Sequence, residues 1–133
     1  MKRSIKVLAL LIVSVLALVA FAGCGGLPKT PNDAKANLEK KGYEVMVADA
    51  EDLGYIAAMF GLEEGDLTGA VMAVKESTKD EVSILYCKNE AVADKLWNDS
   101  NFMTAFPVPD KGMRKQVNNI LCVGTKQGVK DAG

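Results

Sequence analysis

The feature that most limits what this chain can fold into is its beginning. Lys2, Arg3 and Lys6 form a positive cap, and from Val7 to Ala22 the chain is apolar except for Ser14. A basic cap followed by a short apolar run is the layout of a secretory signal. A bilayer-spanning helix needs about 20 apolar residues, and this run is shorter. A membrane-anchoring helix, or cleavage near Ala22, would export the remainder equally well. On each reading the fold is built from the residues beyond the apolar run.

The end of the run narrows the choice. Phe21-Ala22-Gly23-Cys24 resembles the lipobox of bacterial lipoproteins, in which small residues precede a cysteine. The resemblance covers the first 24 residues and implies cleavage after Gly23 and a lipid on Cys24. It also implies an extracytoplasmic protein, lipid-anchored to the bacterial cell membrane. Each buried acyl methylene contributes roughly 0.8 kcal/mol, so several chains on one cysteine hold a protein firmly. The expected organisation is a signal peptide over residues 1–23, a lipidated cysteine and tether over 24–30, and one domain over 31–133.

Charge bounds the partners. The chain holds 16 basic and 17 acidic residues, and three of the basic ones lie in the signal, which leaves 13 against 17, a net of −4. Arg114 is the only arginine after Arg3. Such a balance argues against nucleic acid, whose phosphates reward arginine and lysine. Lys111, Arg114 and Lys115 read as a solvated basic stretch.

With Cys24 assigned to lipid, Cys87 and Cys122 remain as a candidate disulfide in an oxidising setting. Closing that loop of about 35 residues would contribute roughly 3 to 4 kcal/mol. The opposing reading is that both sit in apolar strand-like runs as buried free thiols.

The element signals are local. Thr30 reads as a cap and Pro31 as the first position of a helix ended by Gly42. Tyr43, Val45 and Val47 alternate as a strand, and a helix capped by Asp49 or Asp52 runs to Phe60. Residues 67–74 and 82–87 form a hairpin, Asn89 caps a third helix, 117–124 is the last strand, and 125–132 a short terminal helix. Residues 101–116 have no period and read as a long loop. This order predicts an α+β fold: a two-layer sandwich with a mostly antiparallel sheet of about four strands and helices packed on it. The central strands are apolar at both parities, so both faces of the sheet need cover, and the loop with Phe102 and Phe106 is the expected second cover.

No histidine occurs, which removes imidazole as base or metal ligand. The acidic groups Asp49, Glu51, Asp52 and Glu63, Glu64, Asp66 match no calcium loop and read as turn and helix-start residues. No cofactor, metal or catalytic set is predicted. The expectation is a surface-anchored, non-enzymatic binding or interaction module, joined to the membrane through Cys24 and to a protein partner at the cell envelope. Phe102, Met103 and Phe106 are its candidate interface. The alternative is a ligand-capture protein with a pocket under the 101–116 loop.

Overall fold

The computed structural model describes residues 26–133. The expected signal over 1–23 and the lipid on Cys24 lie outside the described residues. Among the described residues no helix is long and apolar enough to cross a membrane.

Ten elements come after Leu27 in the order α1 (Pro31–Lys40), β1 (Glu44–Asp49), α2 (Gly54–Met59), β2 (Leu67–Lys75), β3 (Asp80–Cys87), α3 (Glu90–Trp97), α4 (Ser100–Ala105), β4 (Gly112–Val117), β5 (Ile120–Thr125) and α5 (Lys126–Ala132). All neighbouring strands are antiparallel, in the order β1-β2-β3-β5-β4. The fold is therefore the expected α+β sandwich, with five strands rather than about four and with helices on both faces of the sheet, three layers rather than two.

Local chemistry explains most boundaries. The Thr30 hydroxyl accepts the Asp33 amide at 3.2 Å, and Gly42, at φ 91°, turns the chain out of α1. The Asn89 side chain accepts the Val92 amide at 3.0 Å and starts α3. Asp49 and Asp52 do not cap α2. They exchange hydrogen bonds with each other's amides at 3.3 and 2.9 Å, and α2 begins only after Leu53, without a side-chain cap.

The fifth strand comes from the stretch read as loop. Met113 and Val117 are the only large apolar residues of β4, too few for a recognisable alternation, because an edge strand has one partner and need not be buried. Asn118, at φ 54°, turns β4 directly into β5, so the run read as one strand over 117–124 is the end of one strand and all but the last residue of the next.

Each face of the sheet has its own apolar core. On one, α1 and α5 cover Val71, Ala73, Val82, Ile84 and Cys122. Here β5 and the start of α5 lie so close to Glu81 of β3 that a Cβ on Gly124 or Gly128 would collide with its carbonyl oxygen. Tyr43 joins the two helices, donating its hydroxyl to Asp131 at 2.8 Å.

The end of the segment read as a tether is docked on this core through Leu27, while Lys29 and Thr30 stay exposed. Leu27 is buried in it, and the Tyr86 hydroxyl lies 2.8 Å from the Pro28 carbonyl oxygen and 3.1 Å from that of Thr30. The second face carries Leu85, Cys87 and Leu121 beneath α2, α3 and α4.

Candidate functional site

Strand register builds the floor of the site. Met46, Met72, Ser83, Val123 and Arg114 stand side by side across all five strands, on the face covered by α2, α3 and α4. A parallel row consists of Ala48, Ala70, Leu85, Leu121 and Gln116. The two alanines leave a hollow in the second row.

The short helices bridge that hollow instead of filling it. Leu53 just before α2, Ile56 of α2, Trp97 at the end of α3, Phe102 and Met103 of α4, and Phe106 just beyond complete the wall of a cavity of about 130 Å³. An apolar cavity of about 150 Å³ accepts benzene, and this one is slightly smaller, the size of a small ring or a short acyl segment. Whole drug-sized molecules need roughly 300 Å³ or more.

The roof is held by aromatic packing and by caps. Phe102 contacts Phe60 edge-on at 5.7 Å and Phe106 at 5.1 Å, between ring centroids. Asp99 accepts the amides of Asn101 at 2.8 Å and Phe102 at 3.3 Å, which starts α4 immediately after α3. From the floor, Gln116 donates to Asp94 of α3 at 2.6 Å.

Arg114 carries the one charged side chain in the cavity wall. Its guanidinium lies 3.8 Å from the centre of the Trp97 ring, a cation–π stack. One terminal nitrogen, Nη1, donates to the Trp97 carbonyl at 2.8 Å and to the Met103 sulfur at 2.7 Å. Nε and the other terminal nitrogen, Nη2, have no acceptor among the described residues, and no carboxylate pairs with the group. Ser83 is the only other polar side chain of the wall.

The three candidate interface residues are thus brought together, in the roof. Phe102 is only 5% exposed and faces the core, while Met103 and Phe106 are half-buried and line the cavity. The most exposed apolar side chains lie elsewhere, at Tyr55 (78% exposed) and Met59 (60%) of α2 and at Met46 (74%) and Met72 (53%) on the floor's far end. Sequence reasoning passed over Arg114 as a solvated charge. The signal available was its isolation: an arginine in an otherwise lysine-only domain, spaced to share a strand face with Gln116.

The candidate disulfide between Cys87 and Cys122 is not formed; both are buried free thiols. Cys122 pairs with Ile84, so Cys87 lies three residues farther along β3, about 10 Å away, and on the opposite face. That exceeds the roughly 7 Å between Cα atoms that a disulfide can span. Burial pushes both thiols up to about 12, aided at Cys87 by the negative charge of Asp66 and opposed at Cys122 by Lys115.

The acidic groups act in turns: Asp66, for example, accepts the Glu63 amide at 2.9 Å. Among the described residues no cluster of three or more aspartate, glutamate or cysteine side chains is disposed to hold a metal ion. Comparison of the chain with protein-family models, with curated proteins and with solved structures finds no match in any of the three.

Proposed function

We propose that this protein is a lipid-anchored, non-enzymatic capture module of the bacterial cell envelope, which holds a small apolar group between its sheet and α4. The observation that carries this reading is the cavity under residues 100–106. Its wall is almost wholly apolar, and the roof consists of short helices rather than one long packed helix. Short elements with few backbone hydrogen bonds open at low cost, which suits entry of a ligand.

A lipobox-like Cys24 supports the placement at a membrane, where apolar molecules are concentrated. The lack of histidine supports a binding role over a catalytic one, as do two thiols held in their neutral form. A module that presents Phe102 to a protein partner is less favoured, because that ring is already buried against Phe60 and Phe106.

Trp97, the only tryptophan, lines the cavity and reports on it. Titration with 1-octanol should change its fluorescence saturably, and Ala70→Leu, which fills the floor, should abolish the response while the thermal transition is kept. A response that is linear, or the same in Ala70→Leu, overturns the reading.

A further inference from the structure

The capture reading leaves the ligand's polarity open, and the row of side chains across the floor addresses it. Arg114, Val123, Ser83, Met72 and Met46 all line the cavity and succeed one another from β4 to β1. Four strand spacings of about 4.8 Å make this track on the order of 19 Å long. It starts at a cation and ends at two exposed methionines. Methionine is unbranched and polarisable and adapts to linear apolar chains.

The cation is unusual in its surroundings. A guanidinium keeps its charge, and this one is half-buried at the cavity rim. No buried side-chain nitrogen among the described residues lacks a hydrogen bond, so the nitrogens of Arg114 without a protein partner stay open to solvent and to a ligand. In this wall the Trp97 face and two acceptors satisfy Nη1, and the Nε–Nη2 edge has no protein partner among the described residues. That edge is the planar fork that binds a carboxylate through two parallel hydrogen bonds.

From these observations we infer that the ligand is a single-chain anionic amphiphile, a fatty carboxylate, with its head on Arg114 and its tail along Val123 and Ser83 toward Met72 and Met46. This rests on the capture reading and adds the charge. The cavity encloses only part of such a chain, and the methionine end lets the remainder run out along the sheet. Chain length is therefore read loosely and the head group strictly.

The test compares dodecanoate with 1-dodecanol on the full chain at pH 8, below the concentration at which either aggregates, with Trp97 fluorescence as the readout. Dodecanoate is expected to bind at least about tenfold more tightly than the alcohol. Arg114→Gln should remove the preference, and Lys115→Gln should keep it, since Lys115 is its neighbour on the opposite sheet face. The acid–alcohol comparison on the unaltered chain decides the matter even where a variant folds poorly. Equal affinity for the two, or a preference retained in a folded Arg114→Gln chain, overturns the inference while the cavity reading stands. Failure of both molecules to bind overturns both.

Discussion

Cys87 and Cys122 illustrate how one side chain can be silent in one respect and consequential in another. They sit on opposite faces of a pleated sheet, each among apolar neighbours, and neither can reach the other. Both thiols are raised from an ordinary value near 9 to about 12, chiefly by burial. The unfolded chain therefore gives up these protons before the folded one does, so stability is complete below pH 9 and is lost as the pH climbs toward 12. The slope is about 1.4 kcal/mol per pH unit for each thiol. Urea unfolding tracked between pH 8 and pH 11 should show midpoints falling over that window in the native chain. A Cys87→Ala, Cys122→Ala chain should show a shallower fall. At pH 8 a thiol reagent should label the folded protein slowly and the unfolded protein at once.

At the scale of elements, α4, like α2, is too short to stand alone. It has six residues, well short of the length at which a helix is stable alone, so its cap and its one buried ring hold it in place. Asp99→Ala removes the acceptor for two amides and is expected to cost about 1 kcal/mol. Hydrogen exchange should quicken across residues 100–105 while α1 and α5 are unaffected, and uniform quickening would contradict this.

The same element marks where the sequence stops being readable. Thr30, Asn89 and Thr125 announce helices because a cap acts over three residues, which a local pattern contains. The central strands announce themselves through apolar composition. By contrast, α4 is too short to display a helical period, and β4 is an edge with little to bury. The Asn118-Asn119 pair between Val117 and Ile120 was the available sign of a tight turn. The cavity was legible only as a location, under the 101–116 segment. Its shape depends on Ala48 and Ala70 facing each other across two strands, and residues so far apart in the chain leave no local mark.

At the scale of the molecule, the two faces of the sheet are finished differently. One is closed by α1, α5 and the segment from Leu27 to Thr30, with the alternating side chains of the inner strands packed tight. The other is roofed by three short helices over a hollow with a cation in its wall. An anchored capture module would need such a division: one side built for permanence and the other for exchange. If Cys24 carries the lipid, labelled fatty acid should be incorporated into the native chain and the protein should sediment with membranes. Cys24→Ser should lose the label and appear in the aqueous fraction. Label that persists in Cys24→Ser contradicts the anchor.

The grip of Tyr86 on the carbonyl groups of Pro28 and Thr30 has a mechanical meaning. Tyr86 belongs to β3, the middle strand of five, hydrogen-bonded along both edges. Tension applied to the chain ahead of Leu27 meets the burial of Leu27 and the Tyr86 hydroxyl before it reaches α1 and, beyond it, the edge strand β1. The start of the described chain is thus latched to the middle strand on the face opposite the roofed hollow, so a pull from that end would be felt first away from the cavity.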